Sequence, residues 1–314
     1  MSAPYPRLSR RDIGHRVVVR HRLRSGQLTD VVGVLVSYDD PQLIVRRADT
    51  STEVISLTDV AAAKPVPPTP LRRVDVDAVL LATASGRPAA ETEHLGDWLL
   101  RASGGWTGRG NSVLPYGDPG VPVADALARA VAFYRARDLP PLALVPLGTP
   151  AEELFRGNGW VEARPEQSDT LVLHTTLDLV NAEPAVQVSV SEHPDRSWYD
   201  VAFDGAAPPA AAPAVMEGAP VAAFASVQLD GRTVAVGRAA MTGHWVGVDS
   251  VAVAVSYRRR GLGTAVLQGL ARWGGARGGR RTYLEVVEEN AAALAAYSAL
   301  GYREAYRYRY LVAP

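Results

Sequence analysis

The residue types best suited to bind an anion lie together in one short segment, Arg258-Arg259-Arg260-Gly261-Leu262-Gly263. This segment follows a valine-rich run typical of a strand and precedes the apolar, helix-forming run 264–274. Glycine lets a ligand approach the backbone where a Cβ would clash, and the first N–H groups of a helix are donors without a partner in the helix. The segment is therefore predicted to bind a group of the size and charge of a pyrophosphate, with the arginines adding positive charge.

Two motifs in this order resemble those of the GNAT superfamily of N-acetyltransferases. Arg258, Gly261 and Gly263 match the Arg/Gln-x-x-Gly-x-Gly/Ala pattern of the acyl-CoA site in that family. Residues 284–302 resemble the strand and helix that follow it in the family; the matching positions are Asn290, Ala293, Tyr297 and Gly301. The resemblance covers residues 245–310 and extends with less detail back to 186.

The resemblance implies acetyl-CoA or CoA as the acyl-donor substrate. Backbone amides of Arg259, Arg260, Gly261, Leu262, Gly263 and Thr264 would hold its pyrophosphate. Main-chain groups of Val251 and Val253 would pair with the pantetheine arm, and the Val253 amide would also polarise the thioester carbonyl. Asn290 would donate a hydrogen bond to the pantetheine, although asparagine at this position is also typical of a helix N-cap.

The resemblance also implies roles for three side chains in catalysis. Tyr297 would lie near the thioester sulfur and protonate the leaving thiolate; the alternative is a packing role. Glu285 is the first candidate for the base, because it stands twelve residues before Tyr297, as the catalytic glutamate does in ribosomal-protein N-terminal alanine acetyltransferases. Asp249, on the preceding strand, is the second candidate. Either carboxylate could instead pair with an arginine in a structural role.

The elements that must position these residues form three predicted units. Residues 1–70 alternate short β-type runs with turns and end in a proline-rich linker, which predicts a small antiparallel barrel or meander. The resemblance implies that this unit is a small SH3-like β-barrel, as in a group of similar actinobacterial acetyltransferases. Residues 71–182 have the order of elements of a degenerate GNAT-like unit, and 183–314 form the catalytic GNAT acyltransferase domain. The predicted fold class is α+β, with tandem GNAT-like mixed sheets flanked by helices after the barrel.

The middle unit is predicted to bind no CoA. Its glycine-rich segment 104–111 has no arginine at the first position of the acyl-CoA pattern, which falls on Gly105. A strand-type run rather than a helix follows these glycines, so the segment is predicted to be a turn between strands.

Composition excludes several classes of protein. The 314 residues carry a net charge of zero and no cysteine, so a disulfide scaffold, a cysteine-ligated metal and a covalent cysteine intermediate are excluded. The six histidines show no metal-binding spacing, and no metal is predicted. A neutral charge balance disfavours a nucleic-acid partner, and no apolar run or leader-like start predicts a membrane segment or signal peptide. Together with the heavy use of alanine, valine, glycine and arginine, this predicts a cytoplasmic bacterial protein.

The function predicted from the sequence is transfer of an acetyl or other acyl group from acyl-CoA to a primary amine, by direct attack in a ternary complex. The amine could belong to a small molecule, a peptide or a protein N-terminus, and a homodimer is left open. The alternatives are a non-catalytic acyl-CoA-binding or interaction protein, and a long-chain acyltransferase that uses acyl-CoA or an acyl carrier protein.

Overall fold

The structure is a computed structural model that describes residues 8–47, 51–66, 71–167, 169–180 and 182–314. The predicted proline-rich linker is described only as far as Val66, and its remainder lies outside the described residues. No helix in the described ranges is long and apolar enough to cross a membrane.

The first five strands form a small antiparallel sheet with a core of its own. They are β1 (Arg16–Arg22), β2 (Leu28–Asp39), β3 (Gln42–Arg46), β4 (Thr52–Ser56) and β5 (Val60–Pro65), in the order β4-β3-β2-β1-β5. Alternate residues such as Val17, Val19, Leu43 and Val45 are buried, because successive side chains of a strand point to opposite faces. This is the small β domain predicted for the start of the chain, and it is called the barrel domain below.

The middle of the chain alternates helices with strands. Its elements are α1 (Arg73–Gly86), β6 (Glu91–Leu95), β7 (Trp98–Ala102), α2 (Val123–Arg135), β8 (Leu142–Pro146), α3 (Pro150–Gly157), β9 (Val161–Glu162), β10 (Thr170–Thr176) and α4 (Leu177–Val180). The β6–β7 hairpin forms a separate two-stranded sheet.

The last third of the chain contains most of the large sheet. Its elements are β11 (Ser189–Ser191), α5 (Arg196–Ala202), α6 (Ala212–Glu217), β12 (Ala222–Leu229), β13 (Arg232–Thr242), β14 (Trp245–Val253), α7 (Leu262–Gly275), β15 (Arg281–Val287), α8 (Ala291–Ala299) and β16 (Arg303–Val312). The predicted α+β class, with a mixed sheet flanked by helices after a small β domain, is confirmed.

Strands from both sides of the predicted boundary at residue 182 form one nine-stranded sheet. Its order is β11-β12-β13-β14-β15-β10-β16-β8, with β9 paired to β16. Strand β10 thus lies between β15 and β16, and β16 lies between β10 and β8. Each half of the chain gives one strand to the other half, an arrangement that the sequence did not predict.

The two faces of this sheet carry different helices. On one face, α7 and α8 pack against Leu284 and Val286 of β15; this is the α7 face. On the other, α1 packs against Tyr283 of β15, whose hydroxyl donates to the Ala82 carbonyl at 2.8 Å; this is the α1 face. Because side chains alternate along β15, Glu285 shares the α1 face with Tyr283.

Candidate active site

Strands β14 and β15 separate at their carboxyl ends. Their parallel pairing runs from Trp245 opposite Arg281 to Val248 opposite Leu284 and ends there. Beyond this point β14 continues to Val253 and β15 to Val287. A gap therefore opens in the middle of the sheet, bordered by main-chain groups of β14 and β15 that are no longer paired with each other.

A β-bulge in β14 lies where the gap begins. The register with β13 shifts between Val236 and Arg238, so β14 carries one extra residue there, and Ser250 has a φ of 54°. Bulges of this kind bend a strand and are common beside active sites. Past the bulge, Ala254 N–H donates to the Val234 carbonyl on β13. Since N–H groups alternate between the two edges of a strand, the N–H of Val253 faces the gap.

The start of α7 lies directly beside this edge. A Cβ built at Gly263 would lie 3.7 Å from Val253 Cγ2 and 3.9 Å from Val251 Cγ1. Both valines therefore face the same way, with their main-chain groups along the gap. The Val253 carbonyl accepts a hydrogen bond from Arg258 Nε at 3.0 Å.

The turn before α7 has the geometry of an anion site. Gly261 is the N-cap with a φ of 77°, and Arg259 has a φ of 63°. The first intrahelical hydrogen bond runs from Ala265 N to Gly261 O, so the N–H groups of the three residues between them precede it. A Cβ at Gly261 would meet no atom within 4 Å, which leaves open space over these donors. Donors, dipole and space together fit a pyrophosphate group.

Some residues of the segment predicted to bind the pyrophosphate have side chains that are buried or in contact with other protein groups. Leu262 is buried in the core under α7, so it can contribute its main chain only. Arg260 lies over the Tyr257 ring at 5.2 Å and donates to the Ser256 carbonyl. Thr264 is half-buried in the first turn of α7.

Glu285 lies on the α1 face beside the gap and is held by two side chains. Its carboxylate forms an ion pair with Arg109 and accepts a hydrogen bond from Tyr308 Oη at 2.7 Å. The Glu285 side chain is 9% exposed. Burial alone would lower the pKa of Arg109, but the Glu285 carboxylate and the nearby tyrosine hydroxyls raise it well above its usual range.

Arg109 and Tyr308 were not among the residues found from the sequence. Arg109 comes from the glycine-rich segment of the middle unit, 176 positions before Glu285, and Tyr308 from β16. The sequence shows a run of tyrosines in β16, but this run does not indicate that one of them contacts Glu285.

Asp249 is held much more firmly than Glu285. It pairs with Arg87 of the α1 C-cap and with the fully buried Arg238 of β13, whose Nη1 lies 2.7 Å from Asp249 Oδ2. Ser250 Oγ donates a further hydrogen bond at 2.9 Å. Burial alone would raise the pKa of Asp249, but Arg87 and Arg238 outweigh it and lower the pKa to about 2. This geometry favours the structural alternative for Asp249.

Two cavities lie next to Glu285. A space of about 20 Å³ between β14 and β15 is lined by both Asp249 and Glu285 and has room for a single water molecule. A larger cavity of about 220 Å³ opens on the other side of Glu285, lined by residues of the glycine-rich loop, the β9–β10 connection and β16. Glu285 thus connects the gap in the sheet with a pocket wide enough for a small chemical group.

Tyr297 lies on the opposite face of the sheet from Glu285. It packs half-buried against the core under α7, with its ring 5.7 Å from that of Tyr302. Burial raises the pKa of Tyr297, so the phenol keeps its proton at neutral pH. The two side chains can approach a common ligand only through the gap between β14 and β15.

Asn290 caps α8. Its Oδ1 accepts a hydrogen bond from Ala293 N at 3.1 Å, which is the N-cap role expected from the sequence. The side-chain NH₂ is not used in this contact and stays available as a donor.

The glycine-rich segment of the middle unit is packed closed. A Cβ at Gly108 would come within 2.8 Å of the Tyr310 ring, and one at Gly110 within 3.1 Å of Ser103 Oγ. The buried Asn111 fills the loop, where its Oδ1 accepts hydrogen bonds from Ser103 N and Gly105 N. A short 3₁₀ turn at Arg109–Asn111 follows, and no α-helix begins there. These glycines serve close packing.

The chain matches two family models. Residues 74–311 match the model of the "Probable histone acetyltransferase Rv0428c C-terminal" domain, and residues 11–64 match the "Rv0428c N-terminal Sm-like domain". The second match is consistent with the small barrel predicted for the start of the chain.

Individual proteins show the same relationship. The chain is 31% identical over 313 residues to the probable histone acetyltransferase Rv0428c of Mycobacterium tuberculosis, covering 96% of this chain and 95% of that one. It is 25% identical to the uncharacterized N-acetyltransferase YobR of Bacillus subtilis, over 76% of this chain and 98% of that one. In fold it is similar to a GCN5-related N-acetyltransferase from Kribbella flavida, with a TM-score of 0.57, 18% identity, and coverage of 79% and 97% of the two chains. The chain therefore belongs to the family of the probable histone acetyltransferase Rv0428c, within the GNAT N-acetyltransferases, which transfer an acyl group from CoA to an amine.

Proposed function

We propose that the protein transfers an acyl group, most simply acetyl, from acyl-CoA to a primary amine by direct attack in a ternary complex. The observation that carries this proposal is the gap between β14 and β15, which opens beside the N-terminus of α7. The start of α7, an unpaired strand edge and the buried carboxylate of Glu285 border this gap, which supports the proposal. Since the chain has no cysteine, an acyl-cysteine intermediate is not available.

The proposed donor site follows that path. The amides of residues 259–264 hold the CoA pyrophosphate, with positive charge from Arg258, Arg259 and Arg260. The main chain of Val251 and Val253 pairs with the pantetheine arm as an added strand would, and the Val253 N–H stabilises the negative charge on the thioester oxygen. Asn290 donates to the pantetheine while its Oδ1 caps α8.

The proposed acceptor site lies on the α1 face, in the cavity of about 220 Å³ beside Glu285. An acceptor amine must lose a proton before it attacks. At pH 7 this costs about 1 kcal/mol for an α-amine and about 4.6 kcal/mol for a lysine. Glu285 receives that proton directly or through one water molecule. Tyr297, from the α7 face, protonates the leaving thiolate.

The acceptor class is a matter for experiment. The Mycobacterium tuberculosis relative is named as a histone acetyltransferase, which makes a lysine side chain one acceptor to test. Small amines and peptide N-termini are the others. The closed glycine-rich loop of the middle unit leaves one CoA site per chain in this proposal.

A thioester-consumption assay with a panel of amines tests the function. We expect acetyl-CoA to be consumed only when a suitable amine is present, and the Glu285→Gln chain to bind CoA yet turn over slowly. Tight CoA binding without turnover on any amine would favour the non-catalytic alternative. Turnover only with long-chain acyl-CoA or an acyl carrier protein would identify a different donor for the same proposed site.

A further inference from the structure

A cavity lies between the barrel domain and the large sheet. It encloses about 440 Å³, which is within the range of small-molecule sites. It is lined by the start of β1, the end of β5, and the ends of β10, β15 and α8 that point away from the gap. Along β15, Arg281 in the wall of this cavity is four residues from Glu285, roughly 13 Å given the rise per residue of a strand.

Positive charge converges on this cavity from both domains. The barrel domain contributes Arg16, and the large sheet contributes Arg281 and Arg303; His15 and His174 also line the cavity. No carboxylate side chain is among the described residues that line it. The Arg281 guanidinium lies 5.7 Å from the centre of the Trp245 ring. Its charge helps to lower the pKa of Asp75 on α1, but the Asp75 carboxylate forms its ion pair with Arg72, at 3.1 Å. The guanidinium groups of Arg16, Arg281 and Arg303 thus lack a carboxylate partner among the described residues.

His174 also lines the cavity and, within the described part of the chain, carries an unpartnered ring nitrogen. The residue is 5% exposed, and its Nδ1 has no hydrogen-bond partner among the described residues. Burial, with the cations Arg281 and Arg303, lowers the pKa of His174 to about 4. Buried polar atoms are almost always partnered in folded proteins, so this one requires an explanation. An anion in the cavity would offset the charge of the arginines and so favour the protonated imidazole, in which both ring nitrogens donate hydrogen bonds.

We propose that this cavity binds a small phosphate-bearing anion held by Arg16, Arg281 and Arg303, with His174 as a further donor. Guanidinium groups bind phosphate oxygens through paired N–H donors, which matches this lining. Hydroxyls such as that of Ser298 can bind the remaining oxygens. A ligand here contacts both domains, and Arg46 Nη2 already donates to the Asp178 carbonyl across the same interface at 3.2 Å. The ligand therefore fixes the barrel domain on the acyltransferase.

Calorimetry with inorganic pyrophosphate tests the site on the full chain carrying Gly263→Asp, in which the pyrophosphate site at α7 is blocked. We expect one pyrophosphate per chain and at least tenfold weaker binding after Arg303→Glu. Arg232→Glu, which makes the same charge change at the exposed first residue of β13, is the matched control and should bind normally. Equal affinity in the Arg303→Glu and Arg232→Glu chains would overturn the proposal.

Two further measurements separate a built site from a general effect of charge. Ser298→Glu, on the exposed face of α8, should weaken pyrophosphate binding without unfolding the chain. NMR of the His174 imidazole should show its pKa rise when pyrophosphate is added, whereas a charge effect elsewhere would leave it unchanged. A nucleoside monophosphate and a short single-stranded oligonucleotide distinguish the source of the phosphate. Binding of the oligonucleotide without any binding of pyrophosphate or the nucleotide would contradict a small-molecule site.

Discussion

Glu285 and Asp249 carry the same functional group in the same small cavity, but their partners differ. Asp249 receives two guanidinium groups and a hydroxyl, and Glu285 receives one guanidinium and a phenol. With a pKa of about 2, Asp249 has little affinity for a proton at neutral pH. The sequence pattern identified both carboxylates as candidates for the base, and their partners, which come from distant parts of the chain, favour Glu285.

Glu285→Gln should lower turnover by roughly 10²–10⁴-fold, the usual range for a positioned acid or base. The loss should be largest at low pH, where the acceptor amine is mostly protonated. Arg109→Gln is the control, because it removes the ion pair and leaves the carboxylate in place. Steady-state kinetics against pH, with melting curves of both variants, give the measurement. If Glu285 is only structural, its variant will lose stability and keep the normal pH profile.

Tyr297→Phe removes a hydroxyl from a half-buried ring and should leave the packing of α8 unchanged. If this hydroxyl protonates the thiolate, turnover should fall by roughly 10²–10⁴-fold with little change in CoA affinity. Rapid kinetics and CoA titration separate the two quantities. Near-normal turnover in a stable variant would show that the thiolate departs without this acid.

Asp249 should make the protein sensitive to acid. Its folded-state pKa of about 2 lies below the unfolded value of about 3.9, so its contribution is present above pH 4 and is lost as the pH falls towards 2. The contribution is roughly 2–3 kcal/mol. Asp249→Asn should therefore lower the free energy of unfolding at pH 7 by a similar amount or more, because two arginines lose their counter-charge. Urea unfolding between pH 7 and 3 measures this, and a variant with an unchanged pH slope would contradict it.

Three structural features form the gap between β14 and β15: the bulge in β14, the start of α7 and the end of the β14–β15 pairing. The start of α7 could be predicted, since its glycines and arginines follow one another in the sequence. The bulge at Ser250 could not, because nothing in that residue type indicates a positive φ. The end of the pairing at Val248 and Leu284 depends on the whole sheet.

Gly263→Asp should abolish CoA binding in a folded protein. Gly263 is the second residue of α7, where an acidic side chain stabilises a helix, and a Cβ there makes only ordinary contacts. The added carboxylate would repel the pyrophosphate. Gly263→Ala is the matched control and should bind CoA much more tightly than the aspartate variant. Unchanged CoA affinity in the Gly263→Asp chain would show that the pyrophosphate does not bind at this site.

Residues 71–182 and 183–314 depend on each other for the strands of the large sheet. Sequence patterns predicted the fold class and, for β14, α7, β15 and α8, the order of elements, because these depend on local patterns of apolar residues and glycines. They did not predict that β10 and β16 would exchange places, since strand neighbours are chosen by contacts between distant segments. Arg109 and Tyr308, the partners of Glu285, could not be found for the same reason.

Fragments 71–182 and 183–314 should not fold separately. Each lacks an inner strand that the other supplies, so each would expose unpaired strand edges and apolar core. Mixed together, they should regain the circular dichroism and CoA binding of the full chain. A monodisperse, folded 183–314 fragment that binds CoA alone would contradict this.

Synthesis on the ribosome makes the strand exchange a question of timing. Strand β8 is made about 160 residues before β16, its neighbour in the sheet. At 5–20 residues per second, the edge of β8 waits roughly 10–30 seconds for its partner. During that time it can pair with another nascent chain or be bound by a chaperone. Because Tyr308 of β16 also holds Glu285, the proposed active site is complete only when this late strand has joined the sheet.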